Sequence, residues 1–148
     1  MATFNPYLHF TGNAEEAFRF YRSVFGGEFI RTMRYGDMPP CEDIKIPDDY
    51  KDKIMHISLP LGKNNILMGS DAMSEMNGRK FSRGDNFHIA ISAESREEAE
   101  RFFDRLSDGG RIDMPLADSF WGSYFGMLVD RFGIQWTVEY ETTENLNN

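Results

Sequence analysis

The sequence predicts an α+β protein built from two βαβββ modules, and three observations carry that prediction. Residues 15–21 read Glu-Glu-Ala-Phe-Arg-Phe-Tyr and residues 97–103 read Glu-Glu-Ala-Glu-Arg-Phe-Phe, five identities in seven at an offset of 82. The pair Gly26-Gly27 recurs as Gly109-Gly110 at an offset of 83. Each copy is surrounded by short segments of strand-like alternation. A repeat unit of half the 148 residues points to duplication. The expected layout is a first module over 1–71, a linker over 72–85 and a second module over 86–148, together one domain spanning 1–148.

The elements follow in order. Tyr7-Leu8-His9-Phe10 alternates and reads as a strand. In the first helix, Ala14, Ala17, Phe18, Tyr21, Val24 and Phe25 fall on one face. Asn13 is placed to cap it with Glu16 answering from the third position, and Gly26-Gly27 ends it. Strands are expected over Glu28–Tyr35, Lys53–Leu61 and Asn65–Asp71, with Gly62-Lys63-Asn64 as the hairpin between the last two. The second module repeats the pattern: strand Phe87–Ser92, then a helix with the stripe Ala99, Phe102, Phe103 and Leu106, capped by Ser95 with Glu98. Strands over Arg111–Leu116, Gly122–Val129 and Ile134–Tyr140 follow, the last two joined by the turn Asp130-Arg131-Phe132-Gly133. Residues 36–52, rich in proline and acidic side chains, read as a mobile excursion, and the polar tail from Glu141 as frayed.

Composition excludes several functions. With 16 basic and 24 acidic residues the net charge is −8, which opposes nucleic acid and anionic lipid as partners. No apolar run is long enough to span a membrane, and the start shows no secretory signal, so a cytoplasmic location is expected. The single Cys41 forms no intramolecular disulfide and supplies no thiolate zinc cage.

Paired βαβββ modules with an Ala-x-x-Phe-Tyr helix resemble the vicinal oxygen chelate superfamily, which includes glyoxalase I, extradiol dioxygenases and bleomycin-resistance proteins. A narrower resemblance, to its PhnB-like branch, rests on Pro6-Tyr7-Leu8-x-Phe10-x-Gly12-Asn13-Ala14-Glu15-Glu16-Ala17, Met55-His56, Leu67-Met68-x-Ser70-Asp71, Met114-Pro115-Leu116, Phe120-Trp121-Gly122-x-x-Phe125-Gly126 and Asp130-Arg131-Phe132-Gly133-Ile134-x-Trp136. The resemblance implies the glyoxalase/bleomycin-resistance fold with pseudo-twofold symmetry, and it favours a homodimer. The branch has also carried the label 3-demethylubiquinone-9 3-methyltransferase, but the chain has no glycine-rich strand-to-helix turn that would cradle a nucleotide-like cofactor.

Enzymes of this superfamily usually hold a divalent metal through residues on the first and last strands of both modules. Carried onto this chain, those positions hold His88, Met68, Thr137 and either Asn5 or Pro6. An imidazole, a thioether and a hydroxyl do not satisfy a hard divalent ion, so no metal and no cofactor are expected.

Strand alternation nominates the ligand-contact residues. If Leu8, Phe10, Ile57, Leu67, Ile89 and Ile91 pack on the helices, the opposite phase presents Tyr7, His56, Met68, His88, Trp121, Phe125, Thr137 and Glu139 to a cleft. His88 and Glu139 are the candidate acid–base residues; hydrogen-bonded structural roles for His88 and His56, and a solvated strand end for Glu139, are the alternatives. Tyr7 is a cleft residue or a buried structural one, and His9 fits either face. Trp121 and Phe125, beside Gly122 and Gly126, form a stacking pocket or ordinary strand packing. The nine methionines suit core filling or an adaptable apolar pocket. The function expected is binding of a small organic molecule in an apolar, aromatic-lined cleft, open to metal-independent chemistry. A divalent-metal lyase or dioxygenase using His88 and Glu139 is one alternative. A non-catalytic sequestering protein is the other.

Overall fold

The computed structural model describes residues 2–39, 45–73 and 80–141, so Cys41, Met76, Pro40 and the tail beyond Glu141 lie outside the described residues, as do parts of the expected excursion and linker. The chain divides into two compact units, with the boundary along the sequence between Ser82 and Arg83. Each holds one helix and one four-stranded sheet.

In the first unit β1 (Tyr7–Phe10), α1 (Ala14–Phe25), β2 (Arg31–Arg34), β3 (Ile54–Leu61) and β4 (Asn65–Asp71) form a sheet in the order β1-β4-β3-β2. The second unit has β5 (Ile89–Ser92), α2 (Arg96–Ser107), β6 (Arg111–Asp118), β7 (Ser123–Val129) and β8 (Gln135–Glu141), in the order β5-β8-β7-β6. The two orders are the same when each unit is counted from its own first strand. The first strand pairs parallel with the fourth, and all other pairings are antiparallel. This is the duplication read from the repeat.

Each core is a helix stripe pressed on one sheet face. From α1, Ala14, Ala17, Phe18, Tyr21 and Val24 are buried; from α2, Ala99, Phe103 and Leu106. Leu8, Phe10, Ile57, Leu59 and Leu67 meet α1, and Leu128, Trp136 and Val138 form the matching layer in the second unit. Two strand glycines fix how closely the helices approach. A Cβ on Gly69 of β4 would stand 2.6 Å from Phe18 Cε2, and one on Gly126 of β7 would stand 2.6 Å from Phe103 Cε2. Gly126 is thus filled by an aromatic ring from its own helix. On the helix side of the sheet, the space at Gly126 belongs to core packing.

The capping expectation holds for one helix only. Ser95 Oγ accepts from Glu98 N at 3.0 Å. Asn13 makes no side-chain cap bond, and its Oδ1 is buried without a partner. Asp71, at the end of β4, does the work instead. Its Oδ1 accepts from Gly12 N and Ala14 N, both at 2.9 Å, and its Oδ2 from Ile54 N at 2.8 Å. A carboxylate accepts more bonds than an amide oxygen and suits the positive end of the helix, which is why it displaces the local asparagine. Asp130 plays the same kind of part in its turn, accepting from Phe132 N (2.8 Å), Ile134 N (3.0 Å) and Trp136 Nε1 (2.9 Å).

Other boundaries moved. β2 spans Arg31–Arg34 in place of 28–35, because Ile30 is exposed and Tyr35 leaves the sheet for a short 3-10 turn. β6 runs on to Asp118 through two register irregularities, and Glu141 belongs to β8. The described ends of the 36–52 excursion are tied down, contrary to the mobile reading. Tyr35 is buried and its hydroxyl donates to Asp71 O at 2.6 Å; Tyr50 Oη donates to Ala72 O at 2.6 Å; Gly36 N donates to Lys51 O at 2.8 Å.

Asp71→Asn should cost about 2–3 kcal/mol in urea denaturation, because the amide turns a donor toward one of three buried backbone N–H groups. A loss below about 0.5 kcal/mol, the range of an ordinary surface change, would remove Asp71 from this role. Burial, first of all, raises the ionisation of both Tyr35 and Tyr50 above the usual phenol value. A raised folded value means that the neutral hydroxyls stabilise the fold fully below the unfolded value near ~10, and that this stability drains away as pH rises through the folded value. Tyr35→Phe should flatten that alkaline limb of a stability–pH curve; an unchanged limb would contradict it.

Candidate functional site

Because the helices consume one face of each sheet, the residues of opposite phase share the other. On the first sheet, register places Arg31 opposite Ser58, Ser58 opposite Met68, and Met68 opposite Tyr7, a row across all four strands. The next row holds Met33 opposite His56 on one side and Ser70 opposite His9 on the other.

These side chains are mutually oriented. His56 Nε2 and Ser58 Oγ are 2.7 Å apart, Tyr7 Oη lies 3.4 Å from His56 Nδ1, and Ser70 Oγ lies 3.3 Å from His9 Nδ1. The Tyr7 ring stands between the two imidazoles, 5.1 Å from His9 and 5.6 Å from His56 by ring centroids. Both serines are buried, whereas Tyr7 is 40% exposed. The hydroxyls anchor the imidazoles from beneath, and the phenol and rings face outward. Tyr7, His56 and Met68 are thus brought together as alternation predicts, and His9 joins them. Arg31, Met33, Ser58 and Ser70 were not singled out by sequence reasoning. Their period-two spacing with His56 and Met68 was the available signal.

On the second sheet, Thr137 lies opposite Ala90 and Met127, and Glu139 opposite Ser92 and Phe125. Ser92 Oγ donates to Glu139 Oε1 at 3.2 Å. Trp121 is not in a strand but in the turn before β7; it is 54% exposed, with its ring centroid 5.8 Å from that of Phe125. His88 lies just before β5, and its Nε2 is buried without a partner among the described residues. Asp113 feels its charge. The Arg111 guanidinium, hydrogen-bonded at 2.7 Å, is the main cause holding that carboxyl below its usual range, with His88 a smaller contributor.

A family model for the Glyoxalase/Bleomycin resistance protein/Dioxygenase superfamily matches residues 3–138. The chain belongs to this superfamily. Protein YjdN of Escherichia coli K12 is 30% identical over 143 residues, covering 90% of this chain and 92% of its own. Among solved structures, protein PA1353 from Pseudomonas aeruginosa superposes with a TM-score of 0.82 at 38% identity, covering 95% of this chain and 98% of that one. The PhnB protein from Bacillus cereus follows the same fold with a TM-score of 0.73 at 26% identity, over 94% and 99% of the two chains. The PhnB-like reading of the motifs agrees with these neighbours.

The residues at the superfamily's metal positions do not fit a divalent ion. Asn5 Oδ1 is spent accepting from Ile66 N at 3.1 Å, and Met68 and Thr137 offer a thioether and a hydroxyl. Within either unit, among the described residues, no group of three or more His, Cys, Asp or Glu side chains stands ready to hold a metal. Among the described residues no helix is long and apolar enough to cross a membrane.

Removing one hydroxyl tests the first sheet's polar network. Ser58→Ala should cost about 1 kcal/mol and change the ring nitrogen resonances of His56. Ring signals left unmoved would show that the 2.7 Å contact does not orient the imidazole.

Proposed function

We propose that the chain binds a small organic molecule, without a metal, on the helix-free sheet faces of its units, each of which presents apolar and aromatic side chains. The contact residues proposed are Tyr7, His56 and Met68 in the first unit and His88, Trp121, Phe125, Thr137 and Glu139 in the second. The observation that carries this reading is the exposure of large apolar side chains beside a few anchored polar ones. Tyr7, Met33, Met114 and Trp121 are all more than a third exposed. An apolar surface with a few fixed polar groups is the usual composition of a small-molecule site. The orphaned Nε2 of His88 supports it further, since a buried polar atom without a partner is costly until one arrives. Whether the bound molecule is turned over or only sequestered is decided by turnover assays on the ligands that bind. We also propose that the exposed apolar residues are partly covered in a homodimer, which light scattering at micromolar concentration checks.

The experiment is a titration with planar aromatic probes, followed by Trp121 fluorescence. His88→Ala should weaken binding about tenfold, or about 1.4 kcal/mol. Stability should change by less than about 0.5 kcal/mol. Intact affinity with a lowered melting temperature would make His88 a structural residue.

A further inference from the structure

The geometry points to a more specific ligand class: the open face of the first sheet recognises the oxyanion of a small organic acid, a carboxylate or a phosphonate carried on an apolar body. This rests on the proposed binding of a small organic molecule and adds the head group that would be selected.

The argument begins with charge. The chain carries 24 acidic residues and a net charge of −8. Yet the two rows across β1, β4, β3 and β2 contain no Asp or Glu. Asp71, the carboxylate at the end of β4, is buried and committed to backbone N–H groups. The rows instead hold one guanidinium, two imidazoles, a phenol and two hydroxyls.

Arg31 decides the sign. Its neighbour Arg34 is neutralised by an ion pair with Glu15 and also donates to Asp52 O. Arg31 is exposed, sits in register with Ser58, and has no ion pair among the described residues. A guanidinium presents a planar fork of donors that matches a carboxylate or phosphonate edge. The imidazoles are already aimed. Ser70 holds His9 through Nδ1 and leaves its Nε2 for a ligand, while both His56 nitrogens are engaged, by Ser58 and the Tyr7 hydroxyl, so that His56 orients Tyr7 before any ligand arrives. A cation would meet Arg31 with no carboxylate to offset it. The thioethers of Met33 and Met68 and the Tyr7 ring supply the apolar border, which calls for more than inorganic phosphate. The negative net charge repels anions at long range, so selection depends on these short-range donors.

The test uses the full chain with labelled side-chain nitrogens, titrated with benzoate, phenylphosphonate and the uncharged benzamide. Benzoate or phenylphosphonate should shift the His9 and His56 ring signals and bind at least about fivefold tighter than benzamide, a difference of about 1 kcal/mol. Whichever anion binds more tightly names the head group. Arg31→Gln should reduce the better anion to the affinity of benzamide, leave benzamide and the melting temperature unchanged, and be partly rescued by Arg31→Lys. Equal binding of benzamide, an Arg31→Gln variant that keeps the anion's affinity, or no shift with any probe would overturn the inference. Anion shifts at His9 and His56 with none at His88 uphold it while removing the second unit from the proposed surface. Shifts at all three without anion preference overturn it and leave that surface standing.

Discussion

The contact between a helix phenylalanine and a strand glycine governs each unit. Phe18 lies on Gly69 and Phe103 on Gly126 so closely that no other residue fits either strand position without displacing the ring. Because side chains alternate along a strand, fixing one position to the helix side fixes the face of all its neighbours. Met68 and Ser70 flank Gly69 and are sent to the open face; Phe125 and Met127 flank Gly126 and follow the same rule. The chemistry-bearing face thus depends on a core contact that touches none of it.

Buried carboxylates complete the frame. Asp71 joins three backbone segments, the approach to α1, the helix itself and the start of β3. Asp130 closes the turn into β8 and holds the Trp136 indole. Asp71 ends β4 and Asp130 follows β7, and each accepts from N–H donors. Such carboxylates serve geometry, which separates them from the half-buried Glu139 and the exposed Asp113 on the second unit.

Much of this was legible in the sequence, for reasons that also mark the limit. Alternation bounds β1 to the residue, the hairpin residues 62–64 mark the start of β4, α1 ends where its glycine pair begins, and α2 ends one residue short of its own. The division of each strand into helix-facing and open-facing residues followed from apolarity alone. What alternation lacks is register across strands. Asp71 acts 57 residues away from Ala14, and nothing local distinguishes it from Asn13 as a cap. The pairing His9–Ser70 and the alignment of Arg31 with Ser58 likewise exist only once β1, β4, β3 and β2 are laid side by side, whereas His56–Ser58 is a period-two pair within β3. Sequence therefore weighted His88 and underweighted His9. The excursion after β2 misled because Tyr35 and Tyr50 anchor through hydroxyls to carbonyls, contacts that leave no pattern in hydropathy.

The helix-free sheet faces are the proposed place where a small molecule is held. The most direct measurement is an electron-density map of the full chain crystallised with an aryl carboxylate and compared with the same crystal form without it. Difference density is expected against Tyr7, His56 and Met68, with the carboxylate toward Arg31. Density elsewhere only, or rings and guanidinium left unmoved with no bound molecule at saturating concentration, would contradict it.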